Sequence, residues 1–413
     1  MKILHINFVD NIGGAAIAAS RLNEAMNRVG LDSTLLVIEK NSKEQSTKIT
    51  TIYANRYRAF VLARFLNKIQ ICFLSFFKPR TTFSLQYWGV NLKHHPLVMK
   101  ADVIYLHWIN GAMLSIRGVE SIVKLGKPVY WFMHDMYPLT GGCHHSYHCT
   151  KYQTKCKECP FMERFVGMDI VRMQFNSKMR AWSIYENFNI QTPSKWLAEC
   201  ARSSAIFQGH EVKVCHNVID TEKYKPLDKM VAKKLFGLSL NKKIIMFIAQ
   251  DVKNEYKGWK YLREALNKLD KDDYECLILG TKNVNIDSEV TVQSIFTGYL
   301  QDDYSLIMAY NAADLLVTPS LADNFPNVLL EAMACSIPCV GFNVGGIPEL
   351  IRHKETGYLA ILKDSQDLAD GINWVLNNGE YKTLAKNARR LVVDSCSYNV
   401  IMNIHKELVE RLK

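Results

Sequence analysis

The sequence predicts an α/β fold of two Rossmann-like halves, and three observations carry that prediction. Short apolar runs of strand length alternate with segments patterned at the helical period, which is how stacked βαβ units and parallel sheets read. The alternation lapses in a polar, lysine-rich passage from Leu227 to Lys243 and then restarts. Paired glycines, Gly13 and Gly14, follow the first run and open a helical segment, as a tight strand-to-helix turn requires.

Taken in order, the first half offers the strands KILHINF, STLLVIE, ADVIYLHW, PVYWFMH and NIQTPS. The helical patterns AIAASRLNEAMNRVG and GVESIVKLG lie between some of them. The second half offers KKIIMFIAQ, YECLILG, SIFTGYL, DLLVTPS and PCVGFNV as strands, with WKYLREALNKL, YSLIMAYNAA and NVLLEAMAC as helices. The halves join near Lys225, so domains are expected at 1–225 and 226–390, with a last helix over 391–413 packing back toward the first domain. In such sheets ligands bind outside the carboxyl ends of the strands, so function is expected in loops facing a cleft between the halves.

A chain of 413 residues with 48% hydrophobic content can bury a large core. No apolar run approaches the roughly 20 residues of a membrane helix, and MKILHINFVD reads as a strand and not as a signal peptide. The expected location is the cytoplasm. The net charge of +11 favours anionic partners. From Gln45 to Ala101 there is no Asp or Glu, whereas Arg56, Arg58, Arg64, Lys68, Lys78, Arg80, Lys93 and Lys100 all fall there. Residues 56–80 mix bulky apolar and basic side chains, the composition of a helix lying on an anionic bilayer. A core-packed helix with a solvated basic edge has the same composition. Nucleic acid is not among the expected partners.

Three loops carry chemistry. Gly13-Gly14 lets backbone N–H groups approach an anion at a helix N-terminus, although a tight turn alone would explain the pair. In DLLVTPSLADNFPNVLLEAMACSIPCVGFNVGGIPEL a strand ends near Pro319, a loop carries Asp323, a helix carries Asn327 and Glu331, and a second strand delivers the Gly345-Gly346 turn. In AQDVKNEYKGWKYLREAL a strand leads to Lys257-Gly258.

The Asp314–Leu350 stretch resembles the donor-binding core of glycosyltransferase family 4, the glycosyl transferases group 1, a retaining family of GT-B fold. Its hallmark is two acidic residues separated by seven others, the second in the phrase EAMA. Asp323 and Glu331 hold that spacing, with Asp in place of the usual first Glu. The resemblance implies that Glu331 binds ribose hydroxyls, that Asp323 faces the donor hexose, and that Lys257 clamps the nucleotide diphosphate. It also places Gly13, Gly14, Gly345, Gly346 and Asn327 on the donor. The family's Arg near Gln250 is missing, with Lys253 an unaligned substitute. TPSKWLAE with Ser194, and CHNVIDTEKYKP with Asn217 and Asp220, extend the resemblance. His134, after a strand, is implied close to the donor sugar, with His107 and Asp135 on the acceptor side.

The implied activity is transfer of a sugar from a UDP- or GDP-sugar to a glycan or polyprenyl-diphosphate-linked acceptor in bacterial surface polysaccharide synthesis, without a catalytic metal. A nucleotide-sugar epimerase of the same fold would share the donor site, and a non-catalytic glycan-assembly protein would also account for the charge.

One stretch stands apart. GGCHHSYHCTKYQTKCKECP, 141–160, holds Cys143, Cys149, Cys156 and Cys159 with His144, His145 and His148. Thiolates and imidazoles are the ligands zinc prefers, and four thiols suffice for a closed structural site. Structural zinc is therefore expected there, ahead of free thiols or a disulfide.

Overall fold

The computed structural model describes residues 1–42, 48–52, 56–252, 254–280, 290–300, 302–377 and 379–410, with the backbone alone at 56–59, 409 and 410. Two compact units emerge: Met1–Asn217 with Met402–Lys413, and Val218–Ile401.

Unit 1 runs β1 (Lys2–Ile6), α1 (Gly14–Arg28), β2 (Asp32–Val37), β3 (Ile49–Thr51), α2 (Arg56–Ser75), α3 (Pro96–Lys100), β4 (Val103–Leu106), α4 (Ile116–Val123), β5 (Val129–Phe132), α5 (Ile170–Trp182), β6 (Phe188–Thr192), α6 (Lys195–Ser203) and β7 (Val212–Val214). Its strands form one seven-stranded sheet ordered β3-β2-β1-β4-β5-β6-β7. Every pairing is parallel. The order reverses between β1 and β4, the switch point at which such sheets bind ligands.

The central strands VIYL and VYWF are buried at every position, as expected of a parallel sheet covered on both faces. Polar caps start the helices: Ser115 accepts from the Gly118 N–H at 3.0 Å, and Ser194 from the Leu197 N–H at 3.0 Å. Trp182, fully buried at the end of α5, packs edge-on to Trp131 with 5.0 Å between centroids. Truncating such a side chain to Ala costs about 3–5 kcal/mol.

Unit 2 runs α7 (Lys229–Leu235), β8 (Lys243–Ile248), α8 (Trp259–Leu266), β9 (Tyr274–Leu279), β10 (Gln293–Gly298), α9 (Asp303–Ala312), β11 (Leu315–Thr318), α10 (Asn327–Ala334), β12 (Cys339–Phe342), α11 (Ile347–Leu350), β13 (Gly357–Ala360), α12 (Ser365–Asn377) and α13 (Tyr381–Cys396). A six-stranded parallel sheet is ordered β10-β9-β8-β11-β12-β13. The last helix, α14 (Tyr398–Glu410), begins in unit 2 and from Met402 onward belongs to unit 1. There His405, fully buried, meets the Tyr105 hydroxyl at 3.1 Å and the Cys215 thiol at 3.2 Å.

The two-sheet α/β prediction is borne out. The sequence reading passed over β3, β7 and β13, which are three or four residues long and too short for a period to show. It also passed over α5. The inward face of that helix is Ile170, Val171, Gln174, Phe175, Lys178, Ala181 and Trp182, so a buried Gln and a buried Lys interrupt the apolar stripe.

Candidate functional site

In unit 2 the polypeptide leaves β8 and makes a 3₁₀ turn over Glu255–Lys257 before α8. Lys253 lies outside the described residues. Gly258 ends the turn at φ 72°, and a Cβ there would sit 1.8 Å from the Pro319 carbonyl oxygen. Only glycine lets this turn seat against the end of β11. The Leu321 N–H donates to the Tyr256 carbonyl at 2.7 Å, fastening the two loops together.

That seating brings the Lys257 ammonium 3.1 Å from Asp323 Oδ2 and 4.7 Å from the centroid of the Tyr256 ring. Burial alone would lower the Lys257 pKa; the Asp323 and Tyr256 side chains outweigh it and hold it above the usual lysine value. Asp323 also organises the second glycine turn. Its carbonyl accepts from the Gly346 N–H at 3.1 Å. Gly345, at φ 60°, passes so close that a Cβ would lie 2.0 Å from that same carbonyl. Lys257, Asp323, Gly345 and Gly346, far apart in sequence, are thus one assembly.

Glu331 is buried on α10 and accepts from the Tyr310 hydroxyl at 2.6 Å. Burial, and then the Glu331 charge, push the Tyr310 phenol far above its ordinary pKa. Tyr299, exposed at 49%, is raised by partial desolvation and by the same carboxylate. Asn327, the first residue of α10, is buried. Sequence reasoning missed Tyr310 and Tyr256. Tyr310 is one of two tyrosines in α9, with nothing local to mark it, whereas Tyr256 directly precedes the Lys-Gly pair.

In unit 1, Gly13 caps α1 at φ 89° with open space around its Cβ position, so backbone conformation and not crowding calls for glycine. The carboxyl ends of β1, β4 and β5 hold three histidines in series. His5 on β1 pairs in register with Tyr105, and Tyr105 with Tyr130. His107 lies two residues beyond Tyr105, and His134 two beyond Phe132, so by the strand period each steps one strand over on one face. His5 Nδ1 is 2.9 Å from His107 Nε2, and His107 Nδ1 is 3.0 Å from His134 Nε2. His5 and His107 are buried, while His134 is partly exposed. Burial lowers His134 to about 4 against a smaller opposing pull from Asp135, and His5 to about 3.

Asp135 faces the other way. It accepts from His144 Nδ1 at 2.7 Å and from the Tyr137 N–H at 2.8 Å. Burial would raise its pKa, and His144 brings it below the usual carboxylate value.

The cysteine-rich loop corrects one expectation. Among the described residues no group of three or more His, Cys, Asp and Glu side chains is arranged to hold a metal ion. Cys143, Cys149, Cys156 and Cys159 do not form a ligand set, and all are free thiols. Cys143 and Cys156 are buried among the apolar side chains of the core, and burial pushes Cys143 up to about 12 and Cys156 further in the same direction.

What braces the loop is α5. Lys178, fully buried, donates to the Tyr137 and Thr140 carbonyls at 2.6 and 3.1 Å. Gln174 donates to the Gly141 carbonyl at 2.8 Å. Cβ atoms on Gly141 and Gly142 would fall 2.4 Å from Val171 and 2.3 Å from Phe83.

Residues 242–378 match the family described as glycosyl transferases group 1. The chain is 32% identical to N-acetyl-alpha-D-glucosaminyl L-malate synthase of Bacillus anthracis over 45% of its own length and 49% of that protein's. It is 24% identical to the putative colanic acid biosynthesis glycosyl transferase WcaC of Escherichia coli over 62% of each chain. These matches therefore span about half to three fifths of the curated relatives. Over almost the whole chain the fold is that of Anabaena HepE solved with UDP and glucose, with TM-score 0.66, 18% identity and 99% of each chain covered. A glycosyltransferase from Rickettsia africae superposes with TM-score 0.69 at 14% identity, covering 100% of this chain and 98% of that one. The matched residues 242–378, a third of the chain, hold the Lys257–Asp323 pair, Glu331 and the second glycine turn, and over that stretch the chain is similar to the glycosyl transferases group 1 family.

Proposed function

We propose that the chain is a retaining glycosyltransferase that moves a hexose from a UDP- or GDP-sugar to a glycan or polyprenyl-diphosphate-linked acceptor in surface polysaccharide assembly. The Lys257–Asp323–Gly345-Gly346 assembly carries this reading. It sets a charged ammonium beside turns whose glycines leave backbone approachable, which suits a diphosphate leaving group. Glu331, buried, offers carboxyl oxygens to vicinal ribose hydroxyls. Asp323 holds Lys257 in place until the diphosphate competes for it. A uridine donor is favoured because Anabaena HepE was solved with UDP-glucose. Unit 1 then supplies acceptor recognition, with His134 placed to hydrogen-bond a sugar.

The test is thermal shift with UDP-, GDP-, ADP- and dTDP-sugars on wild type and on Glu331→Gln, which keeps an acceptor for Tyr310. One nucleotide should stabilise the wild type and lose most of its effect in the variant; no shift with any of them overturns the reading.

A second reading concerns the acceptor's location. Val61, Leu62, Phe65 and Ile69 share one face of α2 by the helical period and are exposed, Phe65 at 60%. With Lys68 among them and no acidic residue from Gln45 to Ala101, this face suits an anionic lipid surface. No helix among the described residues is long and apolar enough to cross a membrane.

A further inference from the structure

The three histidines in series end on a sulfur. His5 Nε2 lies 3.3 Å from the thioether of Met26, on α1. A thioether can accept a hydrogen bond and cannot donate one, so the proton of this buried contact belongs to His5 Nε2. A neutral imidazole has one N–H. His5 Nδ1 is then bare and must accept from His107 Nε2–H; His107 Nδ1 is bare in turn and must accept from His134 Nε2–H. The opposite direction would set the His5 Nε2 lone pair against the sulfur lone pairs in a fully buried place.

Each ring is held neutral by its surroundings. His5 is kept so by burial and by His405 on α14, His107 by burial with His5, His134 and His405 around it, and His134 by burial against the weaker pull of Asp135. The rings stack as well, with 5.2 Å between His5 and His107 and 5.3 Å between His107 and His134, so none can flip without disturbing the next.

We propose that Met26, His5 and His107 form a one-way hydrogen-bond wire that fixes His134 as its Nε2–H tautomer. The wire does not rest on the proposed function. His5, His107 and Met26 are positioning residues, because they act through His134 and make no contact of their own with a ligand. Met26 is the element that gives the wire its direction, since a ring-to-ring contact by itself reads equally well both ways.

The experiment is long-range ¹H–¹⁵N correlation NMR on the full chain labelled at histidine, with nucleotide-sugar binding measured on the same samples. The wild type should show His5, His107 and His134 all as Nε2–H, with no detectable Nδ1–H form. Met26→Leu, a volume-conserving change that the core should tolerate, should let a measurable Nδ1–H fraction appear at His134. A wild-type His134 protonated on Nδ1, or a Met26→Leu variant whose three tautomers are unchanged, overturns the proposal. Absence of nucleotide-sugar binding with the Nε2–H pattern intact would sink the glycosyltransferase reading and leave the wire standing.

Discussion

The Lys257 ammonium is paired with the Asp323 carboxylate at 3.1 Å, at a point where the cation is still 27% exposed. This partly open ion pair keeps Lys257 protonated above its ordinary value, so any part it has in donor binding persists below pH 10.5 and is lost only as pH rises past its elevated pKa. Asp323→Asn removes the opposing charge and lets burial dominate, and the alkaline limb of donor binding should move to lower pH. Lys257→Met should weaken donor binding about tenfold or more, roughly 1.4 kcal/mol. Titration calorimetry across pH checks both, and an unmoved alkaline limb would count against the pairing.

Tyr310→Phe deletes the hydroxyl that donates to buried Glu331. A hydrogen bond to a charged group contributes about 1.5–3 kcal/mol, and that loss should appear in the unfolding of unit 2. Calorimetry of wild type and variant measures it.

Acid should weaken unit 1 through its buried histidines. His5, His107 and His405 are neutral when folded, with His5 lowered to about 3 and His405 to about 4 by burial. Unfolded, each binds a proton below about pH 6.5. Their contribution is therefore fully present above pH 6.5 and declines as pH falls toward 4, by about 1.4 kcal/mol per pH unit for each ring. Urea midpoints between pH 7 and 4.5 should fall steeply for wild type and less steeply for His5→Phe.

Lys178 gives a slope of the same sign at higher pH. Burial lowers it to about 7, against the pull of Cys143, Cys156 and Asp135, while the unfolded side chain titrates near 10.5. The unfolded chain binds the extra proton, so stability should rise from pH 7 to 8.5, before unfolded thiols ionise. Lys178→Met should flatten that rise and, by stranding the Tyr137 and Thr140 carbonyls, cost about 1–3 kcal/mol.

Vesicle sedimentation probes α2. Wild type should bind anionic vesicles and not neutral ones, with binding lost in high salt; Phe65→Ser should weaken it several-fold. Equal binding to both vesicle types would remove the lipid reading.

Much of this molecule was legible beforehand where a residue announces itself by local chemistry. The Lys-Gly pair, the EAMA glutamate and the second glycine turn each lie in a short phrase, and β11, α10 and β12 could be read around them. What escaped was set by partners remote in sequence. Nothing near His5 says that it meets His107 and, through it, His134, because strand order and not spacing joins them. The cysteine-rich loop misled for the converse reason: density along the chain suggested a ligand set, but the loop is held by Lys178 and Gln174, which interrupt the apolar inward face of α5 and obscured its period.

The passage of α14 back to unit 1 has a consequence for how the protein is made. Tyr105 and Cys215 find their buried partner, His405, only after all of unit 2 has been translated. Whereas N-terminal domains commonly fold first on the ribosome, here the first unit to emerge is the last to be finished.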